Sequence, residues 1–403
     1  MSNPRDIHII EYDYPLPDER IAKFPLERRD HSKLLVSQGS SIKESTFAHV
    51  AEFLPEKALL VFNNTKVIHA RLFFQKPTGS TIEVFCLEPH NKPIAQAFEE
   101  RRHSSWTCFV GNNKKWKSEP LSRKLDINGE EIILTATRRQ AVTNTWIVDF
   151  DWTGSLSFAE IIEHAGVIPL PPYLNREAEE SDNSRYQTVY ARHEGSVAAP
   201  TAGLHFTDEV FESLKKKGIG TEFITLHVGA GTFKPVSSDT IGEHEMHVEQ
   251  VQITRQNLEH ILSQLGNPII PVGTTTVRTL ESLYWFGVKL SQRPNLEAMH
   301  VLQWDPYELE SLNISAEQSY RNILQWMSQH EIETLYGDTQ LLIAPGYTYH
   351  VISGIITNFH QPKSTLLLLV SALVGEQWKA CYRYALDNNF RFLSYGDSCL
   401  FLR

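Results

Sequence analysis

The sequence predicts an α/β main domain on a mixed or parallel sheet, with a small all-β barrel inserted into it. Two observations carry this. In the second half of the chain, apolar runs end in small or polar residues and lead toward helical stripes: 223–228, 268–272 before 277–286, and 351–358 before 365–374. From about Arg71 to Asp151 the apolar period drops to two, with runs at 81–87, 105–111, 131–137 and 145–150 and no intervening helix. The main domain is therefore expected over 1–70 and 152–403, and the insert over 71–151. A chain of 403 residues, 41% hydrophobic and 21% charged, has ample material for such cores.

In chain order, residues 12–36 hold three prolines, a short helix near 18–23 and the basic cluster Arg28, Arg29 and Lys33, then a strand at 34–36. The cluster reads either as a solvated face or as phosphate contacts. A buried strand at 58–63 runs into the polar residues Asn64, Thr65 and Lys66. In the insert, Asn128 and Gly129 are a favoured hairpin pair. There Trp106, Lys114, Lys115, Trp116 and Lys117 join rings to positive charge, a pattern that also suits RNA. A helix over 158–165 ends at Gly166, and three prolines keep 168–174 extended.

The stretch 195–207, GSVAAPTAGLHFT, is read as a pocket floor because Gly195, Ser196, Ala198, Ala199, Ala202 and Gly203 let backbone approach a ligand. Thr207 is its N-cap, followed by Asp208 and Glu209 in a helix that stops at Gly218. The chain closes on a strand at 390–395, a turn at Gly396 and a strand at 398–402. Residues 287–336 contain amphipathic pieces that the pattern places only loosely.

A net charge of −10 argues against nonspecific coating of nucleic acid. The segment 71–150 has 12 Lys+Arg against 9 Asp+Glu, so the acidity lies elsewhere. Four scattered cysteines fit reduced thiols. No signal-like start is visible, and the longest apolar run, 365–374, is half a bilayer span. A cytoplasmic protein without membrane contact is expected.

Arg278 and Lys363 fall at expected helix starts, where cations are disfavoured, so a carboxylate or phosphate is expected nearby, helped by the hydroxyls of Thr274 to Thr276. His205, His227, His244, His247 and His360 gather near strand ends as acid–base candidates, each with a plain structural alternative. The spacing His244–Glu249, HEMHVE, lacks the fixed geometry of a metal motif, and no metal is expected. Neither GxGxxG, GxxxxGK[ST] nor GxSxG is present.

The blocks YDYPLPDERIAKFPLERRDHSKLLV, LLVFNNTKVIHARL, IPLPPYL, YQTVYA, GSVAAPTAGLHFT, TLHVGAGTF, VGTTTVRTLES, ITNFHQPKSTLLLLVSALVG and RFLSYGDS occur in this order. Together they closely resemble the S-adenosylmethionine:tRNA ribosyltransferase-isomerase family of the queuosine pathway. The resemblance implies an α/β domain with an inserted β-barrel. It also implies transfer and isomerisation of the ribosyl part of S-adenosylmethionine, a co-substrate, onto 7-aminomethyl-7-deazaguanine at the tRNA wobble position. Epoxyqueuosine-tRNA forms, and adenine and methionine leave; no prosthetic group is implied. The alternatives are another acceptor, or a silent tRNA-binding relative.

Set against that chemistry, the acid–base candidates are His205, His227, His247, His360 and Glu249, with roles unassigned. Ala199, Thr201, Gly203, Gly229, Gly231, Thr274, Thr275 and Arg278 are expected to hold S-adenosylmethionine, with Arg278 or Lys363 on the methionine carboxylate. Arg28, Arg29, Lys33, Lys66, Arg71 and Lys363 are the candidates for an anticodon stem-loop, and a monomer is expected. Asn64, Lys66 and His69 stand where the family has NDTRVIPARL, and Gln361 where leucine is common.

Overall fold

The computed structural model describes residues 3–229, 236 and 238–403. Strands Leu59–Asn63, Gly220–His227 and Ile269–Pro271 are parallel neighbours in a six-stranded mixed sheet. Glu249–Thr254 then runs antiparallel to Gly220–His227, followed by Thr334–Thr339 and, parallel to it, Met299–Val301. A parallel bridge between Val272 and Ile356 connects this sheet to a four-stranded one made of Gly354–Asn358, Ser398–Leu402, Lys33–Gln38 and Ser41–Thr46. Four strands thus point their carboxyl ends the same way, where open α/β sheets bind ligands.

Sequence and structure agree closely for several elements. Thr207 caps helix Asp208–Lys216 by accepting from the Val210 amide, and Ser157 with Glu160 forms a capping box on Phe158–Ala165. Thr365–Val374 is a largely buried helix. Among the described residues no helix is long and apolar enough to cross a membrane.

The helix expected over 277–286 extends over Thr274–Gln292, straight through Gly287. A Cβ there would lie 2.1 Å from the carbonyl oxygen of Ser319, so Gly287 is the point where helix Ala316–Gln329 packs close, not a stop. Glu281 in the same long helix accepts from the Tyr347 hydroxyl and the amides of His350, Val351 and Ile352. That buried carboxylate fastens the helix to the segment leading into Gly354–Asn358. Burial pushes its pKa up, against the pull of these donors.

Two expectations are corrected. Residues 390–395 are not a strand: only Phe392 makes a bridge, to Ile21. The Asp397 carboxylate draws in the amides of Arg391 and Lys33 instead, folding the segment into a turn. The expected helix near 18–23 is a single 3₁₀ turn, Asp18–Arg20.

The period-two region, joined by Gly166–Val167 from beyond its expected end, forms a seven-stranded antiparallel sheet, ordered Gly166–Val167, Arg71–Gln75, Thr81–Pro89, His103–Gly111, Thr145–Trp152, Glu130–Val142, Leu121–Ile127, and contrary to expectation a short helix, Ile94–Glu99, intervenes between two of its strands. Bulges between Cys86 and Glu88 and between Ile147 and Val148 bend it. Arg71–Gln75 and Leu121–Ile127 approach each other without a shared ladder, and Arg123 spans the gap to the carbonyls of Phe73 and Ala165. The expected barrel is therefore an open, curled sheet. Its own buried cluster includes Trp106, Phe150, Phe158 and Ile162.

Candidate functional site

The carboxyl ends of the parallel strands open into a cleft of about 620 Å³. Three of them supply its wall: Val228 follows Gly220–His227, Gly273 to Thr275 follow Ile269–Pro271, and Asn358 to His360 follow Gly354–Asn358. Because Glu249–Thr254 is antiparallel to Gly220–His227, its starting residues His247 and Glu249 arrive at the same edge. Ala198, Ala199 and Thr201 provide a floor of small residues. Gly273 has φ +91°, which lets the chain turn from strand to helix beneath the cleft.

Arg278, expected in the first turn, is instead the fifth residue of that helix because the helix starts at Thr274, and its Nη1 lies 2.8 Å from Oε2 of Glu249. Both residues are buried. The contact lacks hydrogen-bond alignment, so Glu249 Oε2 and Arg278 Nη2 each remain without a hydrogen-bond partner, while Arg278 Nε donates to the Leu341 carbonyl. The other carboxylate oxygen, Oε1, is 3.1 Å from His247 Nε2. Burial opposes the charge on Glu249, but Arg278 and His247 outweigh it and bring the pKa below the ordinary carboxylate value. The anion expected beside Arg278 is thus first of all a carboxylate of the protein itself. Lys363 behaves alike: it is 3.2 Å from Asp13, is half exposed, and does not line the cleft.

A second polar chain enters from behind the wall. Thr201 donates to Asn358 Oδ1 at 2.8 Å, which turns Asn358 Nδ2 toward His205 Nε2 at 3.1 Å. That nitrogen is then the acceptor, so His205 Nδ1 carries the proton facing Ser32 Oγ at 2.8 Å. Burial lowers the His205 pKa to about 4. His360 does line the cleft, with Nε2 3.0 Å from Thr357 Oγ1, and burial lowers its pKa to about 3. Its backbone is clamped by the hydroxyls of Tyr382 and Tyr14.

Of the residues expected at the site, His247, Glu249, His360, Ala199, Thr201, Thr274, Thr275 and Arg278 share the cleft. His205, His227, Gly203 and Gly229 are not on its wall. His227 is buried against Gly195, whose φ is +145° and where a Cβ would lie 2.4 Å from the ring Nδ1. Gly203 makes room for the Tyr190 hydroxyl, 1.9 Å from a Cβ placed there. Gly231 lies outside the described residues. Thr276, expected to offer its hydroxyl to a ligand, donates it to the Val272 carbonyl.

Residue-type reasoning missed Thr357, Asn358 and Gln340 as wall residues, whereas His244, one of the candidate histidines, does line the cleft. Asn358 had a signal, a polar side chain closing an apolar strand; Gln340 had none, being placed by its bond to the Met246 carbonyl. Among the described residues, no group of three or more His, Cys, Asp or Glu side chains is arranged to hold a metal ion.

The cations expected to meet phosphates are mostly paired internally: Arg28 with Asp30, Lys33 with Glu44, Lys66 with Glu194, Arg71 with Glu83. Arg29 donates instead to the Gln187 carbonyl. Asn64, at a family departure, is buried and accepts from Thr225.

Open sheets with a cleft of about 620 Å³ at the strand ends, and a second curled sheet, define an α/β protein whose cleft lies where such sheets bind ligands. A family model described as queuosine biosynthesis protein matches residues 9–401, and the chain belongs to that family. It is 38% identical over 392 residues to the S-adenosylmethionine:tRNA ribosyltransferase-isomerase of Magnetococcus marinus, covering 96% of this chain and 92% of that protein. With the enzyme of the same name from Halothermothrix orenii it shares 37% over 398 residues, covering 97% and 99%. A solved S-adenosylmethionine tRNA ribosyltransferase from Thermotoga maritima is 28% identical, covers 97% of this chain and 100% of that one, and superposes with a TM-score of 0.46.

Proposed function

We propose that this chain is an S-adenosylmethionine:tRNA ribosyltransferase-isomerase. It moves the ribosyl part of S-adenosylmethionine onto 7-aminomethyl-7-deazaguanine at the wobble position of tRNA and isomerises it, giving epoxyqueuosine-tRNA and releasing adenine and methionine. The observation that carries the reading is the His247–Glu249–Arg278 cluster set into a cleft with a small-residue floor.

The methylene beside a sulfonium is acidic, so the reaction begins with a base. Glu249 accepts from Nε2 of His247 and so orients the imidazole at the cleft, where it is the candidate base. The ionised Glu249 also suits a neighbouring sulfonium cation. The methionine carboxylate is taken by the amides of Thr274 and Thr275 at the helix start and by Arg278 Nη2. Ala199 and Thr201 accept the flat face of adenosine. The unit 71–151 is an inserted domain beside the main unit 1–70 and 152–403, and the wobble base leaves its stack to reach the cleft.

Adenine release from S-adenosylmethionine, followed with and without tRNA carrying the aminomethyl-deazaguanine, tests this. Release only with the modified tRNA is expected. No release although both substrates bind overturns the reading.

A further inference from the structure

Behind the cleft lies a second, shallow pocket of about 20 Å³, lined among others by Arg29, Ser32, Arg185, His205, Arg391 and Ser394. Three guanidinium groups therefore converge on one small opening. They are held there by backbone carbonyls: Arg29 by Gln187 at 2.9 Å, Arg185 by Glu27 at 3.0 Å and by Leu26, Arg391 by Phe24 at 3.4 Å. Carbonyl dipoles orient cations but do not neutralise them. Among the described residues no carboxylate lies within 4 Å of Arg29 or Arg185, and the nearest to Arg391 is Asp397, at 3.9 Å. This sets Arg29 and Arg185 apart from Arg28, Lys33, Lys66 and Arg71, each of which has a carboxylate at 3.1 Å or less, while Arg391 shares Asp397 only at 3.9 Å.

The crowding of charge is felt by its neighbours. Burial and then Arg185 lower the pKa of Arg29, and Arg391 and Arg29 add to the burial that depresses His205. A site with surplus positive charge, fixed donors and room for little more than an oxygen or two fits the non-bridging oxygens of a phosphate group, and is too small for a nucleoside. Its position is equally specific. Ser394 lines both this pocket and the cleft, and His205 reaches from the pocket to Asn358 on the cleft wall.

We propose that the pocket of Arg29, Arg185 and Arg391 holds a backbone phosphodiester of the RNA whose base enters the cleft. The Ser32–His205–Asn358–Thr201 chain then couples the held phosphate to the cleft wall. The proposal rests on the tRNA reading above and adds to it the place where the strand is gripped.

The test is the affinity of the full chain for tRNA, measured by fluorescence anisotropy across a salt series, for wild type, Arg185→Gln, Arg391→Gln and Arg185→Lys. A lost phosphate contact lowers the slope of log Kd against log salt by about 0.7 to 0.9, whereas a merely loosened fold weakens binding without changing the slope. Both glutamine variants are expected to lower the slope and weaken binding several-fold at low salt, and Arg185→Lys to restore most of the slope. Should Arg185→Gln unfold, which melting curves reveal, Arg391→Gln and the lysine variant carry the result. Unchanged slopes in folded variants overturn the proposal while leaving the tRNA reading intact. Wild type that binds no tRNA overturns both. Inorganic phosphate serves as the second probe: if it raises the melting temperature of wild type but not of the glutamine variants, and tRNA does not displace it, the pocket is a free-phosphate site and the proposal fails.

Discussion

Arg278 and Glu249 form a buried ion pair, 2.8 Å apart, between the second turn of one helix and the first residue of an antiparallel strand. The pair has one acceptor and one donor left over, Glu249 Oε2 and Arg278 Nη2, while His247 holds the other carboxylate oxygen. Such an arrangement gains little net stability over a packed apolar pair, but removing one member strands the other charge without water.

Glu249→Gln is accordingly expected to destabilise the protein by about 3–5 kcal/mol, because it leaves Arg278 charged and buried. Combining it with Arg278→Met removes the stranded charge, and the double variant is expected to be more stable than Glu249→Gln alone. Urea unfolding of wild type and the two variants measures this. A loss below about 1 kcal/mol for Glu249→Gln would mean that water or another group already compensates Arg278.

The buried histidines set the acid limit of the fold. His205 and His227 are lowered to about 4 and His360 to about 3, all chiefly by burial. The unfolded chain protonates these groups near pH 6.5, the folded one much lower, so the unfolded state gains as pH falls. Stability is complete above about pH 6.5 and is lost by about 1.4 kcal/mol per pH unit per group down to about pH 4. Glu281 and Asp397, raised by burial, act in the opposite sense over the acid end of that window. The urea midpoint is expected to fall clearly between pH 7 and pH 5; a flat midpoint would show that these rings are hydrated or charged in the fold.

Much of this was legible in the sequence because the signals were local. The period of two marked the curled sheet, Thr207 marked a helix start, and polar residues after buried strands marked the cleft. What escaped depended on partners far away in sequence. Gly287 looks like a stop until Ser319 packs on it, and the run 390–395 looks like a strand until Asp397 folds it back. The cations expected at helix starts were read as calling for a ligand anion, whereas Arg278 and Lys363 are met by carboxylates of the chain, and nothing near Arg278 in sequence names Glu249, 29 residues earlier, as its partner. His205 reads as an open acid–base group because its partners Ser32 and Asn358 lie 173 and 153 residues away.

The two histidines that do line the cleft are expected to separate kinetically. His360 is buried, neutral across the physiological range, and bound to Thr357, so it can orient a substrate but is a poor proton carrier. His247 is partly open to the cleft and is oriented by an ionised carboxylate, which places it to act as the base. His247→Gln should therefore lower kcat for adenine release by about 10²–10⁴-fold with little change in KM. His360→Gln should act chiefly on the KM for S-adenosylmethionine and leave kcat within about tenfold, since a neutral hydrogen-bonding group contributes mainly to binding. Steady-state adenine release with modified tRNA distinguishes them. If His360→Gln proves the more damaging to kcat, the proton passes through the strand-end loop, and the Glu249 cluster serves to bind the sulfonium.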